Sequence, residues 1–285
     1  MPDPTWKELQ PNKKNNLMNI KDKANLAGYN LLVKMNSKSD WEKNTYLQIA
    51  TSESLTAGLI MSTLVDIPWG GYLKYGCTGV YDTDAKRVFN GVKVDDVYTN
   101  RCAKEMAVGL LNNSNATIAV AVTGNAMPDP KDAEKLGEVF IGIAGYNKKG
   151  DIIYITKSVN ACLKTENKSF STLCKKWYET VKKGMYNPRS KTALISQEIR
   201  NYVVYAALTE CVKFIDKNNP IVPDFIIKRK AKNNKISKGT CTHDHIPSNK
   251  YNTKGKVICV DKCVNTNTCN RVNTREFHIK KSKKK

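Results

Sequence analysis

Histidine is scarce, and where it sits excludes several kinds of catalysis. The chain has three His in 285 residues, and His243, His245 and His278 all lie near the carboxy terminus. Residues 1–227 therefore cannot build a Ser-His-Asp triad, a Cys-His pair or a His-rich zinc site from their own side chains. Any nucleophile there needs a different activator. Long apolar runs are also missing, so no membrane span is expected. The opening MPDPTWKELQPNKK has no apolar stretch, so no signal peptide is expected either. The nine Cys are odd in number and scattered, which predicts reduced thiols in an intracellular compartment. Acidic residues are few, 26 against 47 Lys+Arg, for a net charge of +21. Of that charge, +14 falls between Lys228 and Lys285, where 17 basic residues face three acids. The body is only mildly basic, and with 40% hydrophobic residues overall a packed core is available.

What is present alternates. Leu17 to Met35 reads as a helix, and NSKSD (36–40) breaks it. YLQIAT (46–51) reads as a buried strand. Leu55, Leu59, Ile60 and Leu64 then fall at helical spacing up to Asp66-Ile67-Pro68. WGGY (69–72) is a turn, and GCTGVY (76–81) a second strand. Asp84 to Phe89 predicts a short helix closed by Asn90-Gly91, and Thr99 can cap another running to Leu111. TIAVAVT (117–123) is the clearest buried strand, followed by a loop with two prolines. Glu138–Ala144 and Ile152–Val159 predict a hairpin. Phe170, Leu173, Trp177 and Val181 share a helical face. Ile195, Ile199, Val203, Ala207, Cys211 and Ile215 mark a long helix, and Pro220 and Pro223 are expected to end the ordered body. The fold class expected is α/β, a layered α/β/α domain with a mixed sheet, plus a basic Cys/His-containing tail. Residues 1–44 form a lead and helix, 45–219 the α/β domain and 220–285 the tail.

Three segments carry polar residues at strand ends. In IATSESLTAGLI (49–60) a strand gives way to small polar residues and a helix. The free N–H groups of such a helix can hold an anion or an oxyanion, and Ser54 is placed to attack. Ser52 or Ser54 could equally be a plain N-cap. In GVYDTDAKRVF (79–89), Lys86 sits in the first turn of a helix. Near a partly buried site its pKa would fall and it could act as a base; otherwise it is a solvated surface lysine. AVTGNAMPDP (121–130) is a strand and loop that either lines a crevice or is a surface connection.

Taken together, these segments resemble the carboxy-terminal domain of the CinA (competence/damage-inducible) family, whose stand-alone form is nicotinamide mononucleotide amidohydrolase. The family's A-E-S-C-T-G-G block is matched by Ser52-Glu53-Ser54-Leu55-Thr56-Ala57-Gly58, and its Tyr-Ser-Asn-Glu-Ala-Lys by Tyr81-Asp82-Thr83-Asp84-Ala85-Lys86. Glu105-Met106-Ala107, the stretch from Ala119 to Pro128 and the stretch from Leu136 to Gly142 follow in the family's order. The resemblance implies hydrolysis of the carboxamide of nicotinamide mononucleotide to nicotinate mononucleotide and ammonia. It implies Ser54 as nucleophile with Lys86 and Tyr81, no metal and no cofactor. Thr56, Gly58, Thr123, Gly124, Asn125 and Arg200 would bind the substrate, and a homodimer is implied. The sequence departs from the pattern at Leu55 and Ala57, in a segment about five residues short before Thr99, in the loop from Asn125 to Pro130, and in an insertion over about 161–188.

Cys241, His243, His245, Cys259, Cys263, Cys269 and His278 make the tail Cys/His-rich. Cys241, His243, Cys259 and Cys263 are candidate zinc ligands, although the spacing is not that of a standard finger. A tail with incidental cysteines is the equal alternative. The terminal cluster from Lys280 to Lys285 suits nonspecific nucleic-acid contact or a nuclear address in an otherwise cytoplasmic protein. A non-catalytic family member that binds nucleic acid or zinc is therefore the rival to the hydrolase.

Overall fold

The computed structural model describes residues 19–40, 42–43, 45–127, 135–162, 172, 174–176, 178–179, 192–239, 249–251, 257–259 and 275–276. The chain divides into two compact units, Met1–Ile227 and Lys228–Lys285. In the second, strands at 249–251, 257–259 and 275–276 form a small antiparallel sheet. Among the described residues no helix is long and apolar enough to cross a membrane.

The first unit is built on a five-stranded mixed sheet, ordered β2-β1-β3-β4-β5. Its strands are β1 (Ile49–Glu53), β2 (Lys74–Gly79), β3 (Ile118–Gly124), β4 (Glu138–Tyr146) and β5 (Ile152–Asn160). β1 is central and parallel to both β2 and β3, and β4 and β5 add as an antiparallel hairpin. Around it lie α1 (Ile20–Ser37), α2 (Leu59–Val65), α3 (Thr83–Asn90), α4 (Asn100–Asn112) and α5 (Thr192–Asn218).

The alternation of β3 sorts these helices into layers. Ile118, Val120 and Val122 point into one core with Leu31 and Leu32 of α1, Leu64 of α2 and Val203 and Phe214 of α5. Ala119 and Ala121 point into the other core, against Met106 and Leu110 of α4. Bulky residues thus hold one helical layer off the sheet and alanines let α4 come close. Each fully buried Leu, Ile or Val contributes roughly 2 kcal/mol through its removal from water. The result is the α/β/α mixed-sheet class expected from the sequence.

Differences from expectation lie mainly at element ends. α2 begins at Leu59 rather than Leu55, because Ala57 (φ 52°) and Gly58 (φ 93°) turn left-handed just before it. β2 ends at Gly79, so Tyr81 follows the strand rather than closing it. Pro220 and Pro223 do not end the regular structure: α6 (Asp224–Gly239) follows. Thr99 caps α4 by accepting the Cys102 N–H, as its position suggested. The helix start at Leu17 and the face at Phe170, Leu173, Trp177 and Val181 lie outside the described residues.

Candidate active site

Three parallel strands, β2, β1 and β3, end side by side. Open sheets place ligands beyond the carboxy ends of such strands, and a cavity of about 180 Å³ lies there. Ser54 comes from the end of β1, Tyr81 from just after β2, and Gly124 and Asn125 from the end of β3. Lys86 enters from α3 and Arg200 from α5.

The backbone holds these pieces in place. The Ser54 N–H donates to the Val122 carbonyl, and the Val80 N–H to the Glu53 carbonyl, so the strand ends stay tied past the sheet. Gly124 has φ 148°, and a Cβ there would lie 2.4 Å from the Glu138 oxygen. Only glycine fits this close approach of the end of β3 to the start of β4. The Asn125 N–H donates to the Glu138 carbonyl, and the Asn125 side chain accepts the Met127 N–H.

Lys86 is 2% exposed, although lysine is rarely buried. Its Nζ donates to the Tyr81 carbonyl at 2.8 Å. Burial pulls its pKa below the ordinary 10.5, while Cys102 and Asp82 nearby pull the other way. A lysine so placed gives up its proton more readily than one in water. Ser54 is 6% exposed, and no hydrogen bond joins it to Lys86 among the described residues. The Tyr81 side chain is 74% exposed at the mouth. Among the described residues the Nε of Arg200 is buried without a hydrogen-bond partner, a costly state for a charged group that an incoming anion would relieve.

The anion hole expected at the start of the helix after Ser54 is already filled. Glu53, wholly buried in β1, accepts the Ile60 and Met61 N–H groups of α2 at 3.0 Å each. Neither Ser52 nor Ser54 caps that helix: Ser52 donates to the Asn90 side chain instead. The cap comes from a carboxylate seven residues upstream, beyond the reach of local spacing rules.

The other expected substrate residues lie off the cavity wall. Thr123 donates its hydroxyl to the Val97 carbonyl at 2.9 Å. Thr56 is buried with its Oγ1 unpartnered among the described residues, and Gly58 occupies the turn before α2. Of the tail candidates, Cys241, His243 and Cys263 lie outside the described residues, and Cys259 falls in the strand 257–259. Among the described residues no group of three or more His, Cys, Asp or Glu is arranged to hold a metal. Leu55, Thr83, Val97 and Tyr98 also line the cavity without having been named as site candidates, whereas Ala126 and Met127 come from the 121–130 segment offered as a crevice lining. The aromatic Tyr98 beside a helix cap was the signal available for one of them.

Residues 35–169 match the model of the CinA C-terminal domain. The chain is similar to Protein MG115 homolog of Mycoplasma pneumoniae, 34% identical over 113 residues, which cover 38% of this chain and 72% of that protein. It is 39% identical over 117 residues to a CinA-like protein of Chlorobium limicola, covering 39% of this chain but 27% of the longer protein. Among solved structures it is similar to the competence/damage inducible protein CihA from Agrobacterium tumefaciens, at 23% identity and a TM-score of 0.47, covering 67% of this chain and 94% of that one. The chain belongs to the CinA C-terminal domain family.

Proposed function

We propose that the chain is an amidohydrolase that cleaves the carboxamide of nicotinamide mononucleotide, yielding nicotinate mononucleotide and ammonia. The observation that supports it most is a buried Lys86, with its pKa lowered, sharing one cavity with Ser54. Serine is a weak nucleophile until a base takes its proton, and a neutral amine can replace imidazole in that role. In this reading Lys86 accepts the Ser54 proton as Oγ attacks the amide carbon. The tetrahedral intermediate collapses, and Lys86 returns the proton to the departing nitrogen, which leaves as ammonia. Water then hydrolyses the acyl-Ser54 with Lys86 again as base, releasing the acid and restoring the hydroxyl. The Tyr81 carbonyl accepts from the lysine amine, and in this reading the Tyr81 phenol, which lines the same cavity, orients the leaving group.

The oxyanion needs donors other than α2. The Leu55 N–H follows the nucleophile directly and has no acceptor among the described residues, so it is our candidate. Arg200 fits the substrate phosphate, because its Nε is otherwise unmatched. None of these steps calls for a metal.

Ammonia release from nicotinamide mononucleotide by the full chain, with Ser54→Ala in parallel, tests the reading. Release that disappears in the variant supports it. A folded wild-type protein that releases none would sink this substrate.

A further inference from the structure

We infer that Asn125 is a specificity-determining residue whose side-chain amide donates, beside Arg200, to the phosphate of the ligand. The inference rests on the hydrolase reading, which gives the phosphate to Arg200, and names the second donor.

The direction of the Asn125 amide follows from its neighbour. Its Oδ1 accepts the Met127 N–H at 3.0 Å. Only the oxygen of an amide can accept, so the nitrogen end turns away from Met127. Among the described residues nothing accepts from that nitrogen. The backbone around it is held on both sides. The Asn125 N–H donates to the Glu138 carbonyl at 2.9 Å, and the Asn125 carbonyl accepts the Gly137 N–H at 2.8 Å. A fixed turn thus presents an oriented donor.

That turn sits against the part of α5 that carries Arg200. The Ser196 hydroxyl donates to the Met127 Sδ at 3.8 Å. Arg200 follows Ser196 four residues on, and residues so spaced share a helix face. Asn125, Met127 and Arg200 line one cavity, and among the described residues no Asp or Glu lines it. The Arg200 Nε is buried and unpartnered among the described residues. Two donors from separate elements are therefore left over on an acid-free wall. A phosphate group offers three strong acceptor oxygens, and one edge of a guanidinium takes two of them. A neutral amide serves the third without adding a charge, and it selects an acceptor over a group that itself donates.

Binding rather than turnover tests this. Nicotinamide mononucleotide and nicotinamide riboside, which lacks the phosphate, are titrated calorimetrically into the full chain carrying Ser54→Ala. Asn125→Ala, added to it, removes the donor without adding charge. Asn125→Asp keeps the acceptor for the Met127 N–H and replaces the donor by a carboxylate. The pairing predicts nicotinamide mononucleotide bound about tenfold more weakly in Asn125→Ala and about 100-fold more weakly in Asn125→Asp, with nicotinamide riboside weakened by no more than about twofold in either. It also predicts a higher urea midpoint for ligand-free Asn125→Asp, because the new carboxylate pairs with Arg200. That gain disappears when Arg200→Met is added. Equal loss for both ligands, no loss of nicotinamide mononucleotide, or a midpoint gain that survives Arg200→Met overturns the pairing. The Asn125→Ala titrations decide alone should the charged variant not fold. Phosphate-dependent loss without ammonia release by the wild type leaves the pairing standing and removes the hydrolase reading alone. Failure of the Ser54→Ala chain to bind either ligand overturns both.

Discussion

The carboxylate of Glu53 accepts the backbone N–H of Ile60 at 3.0 Å, and its other oxygen accepts that of Met61. The same carboxylate takes the Thr51 hydroxyl at 2.8 Å and the Cys77 thiol at 3.6 Å. One wholly buried side chain at the end of β1 therefore satisfies the first turn of α2 and braces the loop that carries Ser54. Its negative charge also complements the positive end of the helix.

Glu53→Ala should be among the most damaging substitutions in the domain. It leaves two buried N–H donors and a buried hydroxyl without an acceptor, a loss of roughly 3–5 kcal/mol. Glu53→Gln should lose less, since one oxygen survives, but its amide N–H₂ then faces a donor. Urea unfolding curves for the three proteins check the order. A Glu53→Ala midpoint equal to wild type would show that water can replace the carboxylate.

Lys86 sets a pH dependence of known sign. Its folded pKa is depressed by burial, so the unfolded state holds that proton more tightly. Folding therefore loses stability at pH values below the lowered pKa and regains it as pH rises toward 10.5. Lys86→Met should be more stable than wild type at neutral pH, with the gap narrowing over that window. Hydrolysis by the wild type should rise with pH as Lys86 loses its proton, with a midpoint below 10.5. Lys86→Met should lose about 100- to 10,000-fold in rate. A pH-independent stability difference would contradict the burial argument.

Cys77 offers a check on Glu53 that does not depend on any ligand. It lies exposed on the edge strand β2, yet its thiol pKa is pushed up to about 11. Burial of the sulfur is the first cause, the Glu53 charge and hydrogen bond add to it, and Thr51 opposes it. At pH 8 only about one thiol in a thousand would be ionised, against about one in four for an ordinary cysteine. Alkylation of Cys77, followed by peptide mass mapping, should be slow at pH 8 and faster in Glu53→Gln. Fast labelling of the wild type would refute the Glu53–Cys77 contact.

Much of this arrangement was legible because it is local. The apolar run that becomes Ile118–Gly124, the four-residue steps from Ile195 to Ile215 and the Thr99 cap each follow from neighbours along the chain. What the sequence concealed is non-local. Glu53 reaches across seven and eight residues to cap α2, which closed the anticipated anion hole. Tyr98 and Val97 reach the cavity only because Thr123 ties their segment to β3. Resemblance named Ser54, Tyr81 and Lys86, and the parallel trio β2-β1-β3 explains why residues from three separate segments line one cavity.

Arg200 should show a conflict between stability and binding. Its Nε, on a helix that otherwise contributes apolar core, is buried without a partner among the described residues. An unsatisfied buried donor costs about 1–3 kcal/mol, and a methionine of similar length removes the donor while keeping the packing. Arg200→Met should therefore raise the unfolding free energy of the ligand-free protein by about 1 kcal/mol. The same change removes the group we propose for the substrate phosphate. Its affinity for nicotinamide mononucleotide should fall by about 10- to 100-fold, since a charge-assisted hydrogen bond is worth about 1.5–3 kcal/mol. Nicotinamide riboside, which has no phosphate, should be affected little. Urea unfolding without ligand, paired with titrations of the two compounds, separates these effects. A variant that is less stable and loses both ligands equally would make Arg200 a packing residue rather than the phosphate's partner.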